Sequence, residues 1–208
     1  MSKVFIDVGI SLDGFLAGPN RRPGNPLGDN GVSIHQWMFK TATFLERIGT
    51  SGGERSPDDA LVKEVFGRAG AYVMGRRMFD EGEVGWPENA PFRAPVFILT
   101  HSPRELWARK GGTTFFFITD GIASALRQAK AAAGGKDVRV SGGAATIRQY
   151  LEAGLINELT LHIAPVFLRT GLRLFDQLVA DNLSFEQWKV SSSPLATHIT
   201  YKVLSRKT

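Results

Sequence analysis

The sequence predicts one mixed α/β domain, with a central sheet, helices on both of its faces and an antiparallel pair of strands at its C-terminal end. Three observations lead there. Through the middle of the chain, short apolar segments alternate with stretches of helical periodicity. That βαβ pattern demands parallel strands joined by right-handed crossovers. Near the end, two strand-like runs follow one another with only SSSPLA between them, so they pair as a hairpin. Finally, 208 residues without a linker, repeat or low-complexity tract fit a single domain spanning 1–208.

The elements follow in order. KVFIDVGI at 3–10 carries β-branched residues and opens as a strand. Asp13–Gly14 turns into the short apolar piece Phe15–Ala17. GPNRRPGNPLGDNG at 18–31 is a long Gly/Pro/Asn loop, and long loops inside compact domains are often functional. Ser33 is placed to cap a helix running to about Ile48, with Ile34, Trp37, Met38, Thr41, Phe44, Leu45 and Ile48 near one face. Ser56–Pro57 starts the next helix, since Ser caps and Pro tolerates the first helical position. Strands follow at Ala71–Met74, Val96–Leu99, Thr113–Ile118, Val138–Val140 and Leu159–Ile163. A helix after Gly75 follows the first of these. Thr100–Pro103 is expected to feed a helical turn, and Asp120 to cap a helix ending at Gly134–Gly135. Gly142–Gly143 leads into another helix, and Phe185–Ser191 with Thr197–Leu204 make the terminal hairpin.

Composition narrows the function. A chain that is 43% hydrophobic and 22% charged is neither disordered nor a coiled coil. The absence of Cys excludes disulfides, Cys-ligated zinc, iron–sulfur clusters and thiol catalysis. No apolar run approaches a membrane span, and the N-terminus lacks a signal-peptide pattern, so a soluble, cytoplasmic protein is expected. The net charge of +5 is dispersed, with pairs only at Arg21–Arg22, Arg76–Arg77, Arg109–Lys110 and Arg206–Lys207. That argues for a solvated surface or a small anionic ligand rather than nucleic acid. His35, His101, His162 and His198 lack metal-ligand spacing, so no metal is expected.

Two segments share one design: AYVMGRRMF and VRVSGGAATIRQYL each run from apolar strand through glycine into helix. Unpaired N–H groups at a helix start attract anions, and glycine admits a phosphate to the backbone. Glycine also serves simply as a tight strand-to-helix turn. Neither segment is GxGxxG or a P-loop.

SLDGFLA, VMGRRMF, FILTHSPRE, TDGIASALRQAK, VSGGAATIRQYL and LINELTLHIAPVFLRTGLRLFDQL occur in an order that resembles the dihydrofolate reductase-like superfamily. Within it they are most similar to the branch of the reductase domain of the riboflavin-biosynthesis protein RibD. The resemblance covers nearly the whole chain. It implies a three-layer reductase fold that binds NADPH and passes hydride to a pteridine- or ribosylaminopyrimidine-like molecule, and a homodimer. Carried over by position, Gly75, Arg76 and Arg77 match the family's Gly-Arg cofactor contact. Thr100, His101 and Ser102 match the strand end that holds the adenosine 2′-phosphate. Ser141 precedes the turn over the pyrophosphate, which Gly142, Gly143, Ala144, Ala145 and Thr146 match. Met78 stands where dihydrofolate reductases usually carry Thr, and Ser141 where riboflavin-pathway reductases tend to carry Glu.

Reducing a C=N bond also needs a proton. By its spacing back from Gly75, Asp59 matches the acidic residue of dihydrofolate reductases, with Asp58 beside it. An exposed acidic first turn favoured by the helix dipole is the plainer reading of both. The alternative to an enzyme is a non-catalytic nucleotide- or small-molecule-binding protein on the same fold.

Overall fold

The computed structural model describes residues 2–179 and 183–205; the Arg206–Lys207 pair lies outside them. Strand β1 (Val4–Ser11) is buried along its entire length and is central to the sheet. It pairs in parallel with β7 (Asp137–Gly142) and β8 (Glu158–Ala164). Beyond β7 the sheet continues in parallel through β3 (Ala69–Gly75), β4 (Pro95–Leu99) and β6 (Thr114–Ile118). The short β5 (Trp107–Ala108) closes that edge antiparallel to β6. On the other side β11 (Ala196–Ser205) runs antiparallel to β8, and β10 (Leu183–Ser193) antiparallel to β11. The nine strands lie in the order β10-β11-β8-β1-β7-β3-β4-β6-β5. The expected parallel centre and C-terminal hairpin are both present. A separate ribbon pairs β2 (Phe15–Ala17) with β9 (Leu172–Arg173).

Helices cover the two faces because parallel strands are apolar on both sides. On one face, α5 (Ile122–Ala132) and α6 (Ala144–Glu152) bury Leu126, Ile147, Tyr150 and Leu151 against Val4, Val73 and Val140. On the other, α3 (Pro57–Arg68) and α4 (Arg76–Gly82) lie over Phe5, Tyr72 and Met74. Ser56 caps α3 by accepting from the Asp59 N–H, as its Ser-Pro start requires. At the far end of α3, Arg68 binds Asp137 at 2.7 Å and Glu158 at 2.9 Å, tying the starts of β7 and β8 to that helix.

Four local expectations change. The single helix over 33–48 is broken into a 3-10 turn (Gly31–His35), α1 (Gln36–Phe39) and α2 (Ala42–Arg47). Thr41 takes extended backbone angles between the last two and accepts from the Phe44 N–H, so a Thr placed on the apolar stripe is instead an N-cap. No helical turn follows Thr100; the chain goes through a bend into β5. Gly121, at φ 92, is the N-cap of α5, so Asp120 does not cap it. Asp58 and Asp59 are buried rather than exposed.

Candidate functional site

Two adjoining cavities open above the carboxyl ends of the parallel strands, the place where open α/β sheets bind ligands. The smaller, about 360 Å³, lies over the ends of β3, β4 and β6 and the start of α6. Gly75, Arg76, Arg77, Thr100, His101, Gly143, Ala144, Ala145 and Thr146 all line it. Ser102 and Gly142 do not, and Ser141 lines the larger cavity instead. Its other polar lining includes Arg21, Thr119, Arg148 and Gln149, and it has no acidic lining residue.

Helix α6 begins without a side-chain cap, since Gly143 has none to offer. The N–H groups of its first turn therefore face the cleft without an intrahelical partner. A Cβ at Gly143 would meet nothing within 4 Å, so glycine leaves open space there. The peptide joining Gly142 to Gly143 is cis. Gly75 is glycine for a different reason: a Cβ there would collide with the Thr146 hydroxyl, so it sets how closely α6 approaches β3. The two strand–Gly–helix segments thus resolve differently, one as an open cradle and one as a packing contact. Arg76 is paired with Asp80 at 2.6 Å and Arg77 with Glu81 at 2.8 Å, each one helical turn on. Those carboxylates offset the unfavourable position of two cations at a helix start.

The larger cavity, about 600 Å³, is walled by Trp37, Phe39, Phe44, Phe66, Trp86 and Phe92. It meets the smaller one at Arg21, Met78 and Gly143, which line both. Arg21 comes from the long loop at 18–31, which is tied by Asn20 donating to Asp29 at 2.7 Å and by the Asp29 N–H donating to Pro19 O. It reaches Glu81 at 3.4 Å. The loop was the visible signal for this residue, but nothing distinguished Arg21 from Arg22 beforehand.

The floor of this cavity is polar. Asp7 of β1, Arg139 of β7 and His162 of β8 line it, with His35 beside them. Arg139 donates to Asp7 Oδ1 at 3.1 Å and to its carbonyl at 2.7 Å. His162 Nε2 lies 3.0 Å from Asp7 Oδ2, and its Nδ1 is 2.7 Å from Nδ1 of His198. His198 Nε2 in turn lies 3.0 Å from Asp58 Oδ1. Trp37 packs against His162 with tilted rings whose centroids are 4.1 Å apart. Burial alone would raise the pKa of Asp7, but the charges of His162 and Arg139 outweigh it and hold the carboxyl at about 2. His35 is pushed down to about 4 by burial, then by the charges of His162 and Arg139.

Asp59, the acid that spacing singled out, lines neither cavity. Its carboxylate accepts from the Thr43 N–H at 2.7 Å and sits 3.6 Å from Arg55. The structure therefore gives it a role in seating α2 on α3, and it is the neighbouring Asp58 that reaches the polar floor, through His198. Sequence spacing missed this network because the floor draws on β1, β7 and β8, and the residues behind it on α3 and β11. The β8–β11 register sets His162 directly opposite His198. Among the described residues no group of His, Asp and Glu has the arrangement of a metal site, and no helix is long and apolar enough to cross a membrane.

A family model described as the RibD C-terminal domain matches residues 2–197. YyaP of Bacillus subtilis (strain 168), a protein of uncharacterised function, is 25% identical over 173 residues, covering 83% of this chain and 80% of its own. A putative riboflavin biosynthesis protein from Shewanella sp. PV-4 superposes with a TM-score of 0.67 at 22% identity, covering 98% of this chain and 99% of that one. A Corynebacterium diphtheriae pyrimidine reductase-like protein gives 0.57 at 15% identity, covering 98% and 92%. The Thermotoga maritima diaminohydroxyphosphoribosylaminopyrimidine deaminase/5-amino-6-(5-phosphoribosylamino)uracil reductase gives 0.62 at 13% identity, covering 97% of this chain and 56% of that one.

Proposed function

This chain belongs to the RibD C-terminal domain family, and on that premise we propose that it is a reductase using NADPH to reduce a planar heterocycle. The observation that carries the reading is the pair of joined cavities, one basic with an uncapped helix start, the other aromatic. The residues of the smaller cavity suit a dinucleotide. The first turn of α6, Ala144–Thr146, offers N–H donors to a pyrophosphate, and Gly143 leaves room for it. Arg76, Arg77, Thr100 and His101 supply the cationic and hydroxyl donors that a 2′-phosphate needs, which favours NADPH over NADH. When bound, NADPH supplies a hydride. Met78 and Gly143, at the junction, would border the reacting end of the cofactor.

The larger cavity sets the acceptor. Its aromatic walls present faces on which a flat ring would stack. Its two lining arginines are engaged, Arg21 with Glu81 and Arg139 with Asp7. Unlike the smaller cavity, this one is lined by two carboxylates, Asp7 and Glu81, which disfavour a phosphoribosyl group, so the lining favours an unphosphorylated, pteridine-like acceptor over a ribosylaminopyrimidine phosphate. We extend the proposal to a homodimer. Phe185, Trp188 and Val190 of β10 are exposed at the sheet's edge, as aromatic anchors at interfaces are.

The test has two stages. Fluorescence titration should show NADPH binding more tightly than NADH. NADPH oxidation is then followed with dihydrofolate, with unphosphorylated pteridines and with the riboflavin-pathway ribosylaminopyrimidine. Oxidation with an unphosphorylated heterocycle supports the reading. NADPH binding without oxidation by any of these acceptors would favour a binding protein on the same fold.

A further inference from the structure

We propose that Asp7, His162, His198 and Asp58 form a buried proton store at the floor of the larger cavity and deliver the proton that the reduction consumes. The delivery half rests on the reductase reading above; the store does not.

The inference begins with counting protons. Three contacts link the four side chains: Asp7 to His162 at 3.0 Å, His162 to His198 at 2.7 Å and His198 to Asp58 at 3.0 Å. Each sets two electronegative atoms at hydrogen-bond distance, and each needs one proton between them. The carboxylates, when ionised, only accept. Two neutral imidazoles bring two protons. The contact between the two Nδ1 atoms leaves no tautomer that satisfies all three links, so a third proton belongs to the assembly.

Charge balance leads to the same count independently. All four residues are buried, with relative exposures of 5% for Asp7, 5% for Asp58, 2% for His162 and 4% for His198. Arg139 is bound to Asp7 from β7, and Arg68, on α3, is engaged by Asp137 and Glu158. His35, facing from the 3-10 turn, is held neutral by burial first and then by its cationic neighbours. Two carboxylates against Arg139 alone would leave a net negative charge on buried groups, which is costly. One imidazolium removes it. Burial, with the charge of His162 next, pushes the pKa of His198 down, more than its bond to Asp58 raises it. His162 is the ring that bonds both Asp7 and His198 and lines the cavity, which puts the third proton on it, against Asp7.

Delivery is then a balanced step. Hydride forms the new C–H bond on the acceptor, and the π pair of its C=N or C=O bond moves onto nitrogen or oxygen. His162 Nε2 gives its proton to the ionised Asp7 carboxylate, and the carboxyl so formed passes that proton to the atom. His162 becomes neutral, and the assembly regains its proton from solvent before the next turnover. In this arrangement Asp7 is the catalytic residue. His198 and Asp58, which line neither cavity, are positioning residues that hold His162 charged.

Nitrogen-15 NMR of the imidazoles, from pH 5.5 to pH 9, tests the store in the free protein. At pH 7 one of the two linked rings should be protonated on both nitrogens. Asp58→Asn, which removes the acceptor at the far end of the chain, should reduce that doubly protonated population at pH 7. Two neutral rings at pH 7 would overturn the proposal. With an acceptor identified by the oxidation assay, His198→Gln should lower kcat about 10- to 100-fold above pH 7, move the pH profile down and leave KM within about twofold. If His198→Gln does not fold, Asp58→Asn serves the same comparison. A doubly protonated ring together with an unchanged kcat profile would overturn delivery. If no acceptor is reduced, the reductase reading fails, while ring protonation still decides the store.

Discussion

Gly143→Asp separates ligand binding from folding. Gly143 has φ −67 and ψ −171, angles any residue adopts, and a Cβ there meets nothing within 4 Å. It is also the N-cap of α6, which has no side-chain cap at present. An Asp there is a better N-cap than Gly by only a few tenths of a kcal/mol, so the variant should melt within about 1 °C of the parent. The same carboxylate would occupy the N–H groups offered to the pyrophosphate and add a negative charge beside it. Two unit charges about 5 Å apart at an effective dielectric constant of about 20 repel by about 3 kcal/mol. That corresponds to roughly 100-fold weaker binding. Fluorescence titration with NADPH, alongside thermal melting, measures both. A folded Gly143→Asp protein that binds NADPH within about threefold of the parent would refute the placement of the pyrophosphate at α6.

Other outcomes follow from the packing and charge described. Asp7 is held at about 2 from a usual value of 3.8, because the charges of His162 and Arg139 overcome its burial. A lowered carboxyl stabilises fully above about pH 4 and loses that contribution as pH falls through about 2, here about 2 kcal/mol. Denaturant midpoints from pH 5 to pH 2 should show this loss in the parent and a flatter dependence in Asp7→Asn. Gly75→Ala, unlike the change at 143, should destabilise by about 1–3 kcal/mol, because its Cβ meets the Thr146 hydroxyl; an unchanged melting temperature would contradict the packing. Tyr150→Phe removes a 2.9 Å bond to the Ile122 carbonyl and should cost about 1 kcal/mol, measured by denaturant unfolding. Light scattering should give twice the chain mass of 22.7 kDa; a monomer mass would contradict the dimer.

The parallel core was legible because its strands are short apolar runs set off by glycine and helical periodicity, signals that are local. The terminal hairpin was legible for the same reason. What failed was also local in origin. Thr41 fits an apolar stripe by spacing, yet its hydroxyl competes for the backbone and ends a helix. Asp120 has the chemistry of a cap, but Gly121 occupies the position. In the site, the cradle around Gly143 was legible as a strand–glycine–helix pattern. Ser102 and Asp59 were placed by resemblance and by counting residues, and neither lines a cavity. The polar floor was invisible, because pairing of β8 with β11 brings together residues 36 apart, and β1 and α3 supply the carboxylates. Sheet register, which creates such a cluster, is not written in any one segment.

The most direct measurement of the central claim uses NADPH deuterated at the transferable C4 position, incubated with the protein and an unphosphorylated pteridine-like acceptor. Mass spectrometry of the product should show one added deuterium, bound to carbon and retained in ordinary water. A reduced product without deuterium, or no reduced product while NADPH is bound, would contradict direct hydride transfer between the two joined cavities.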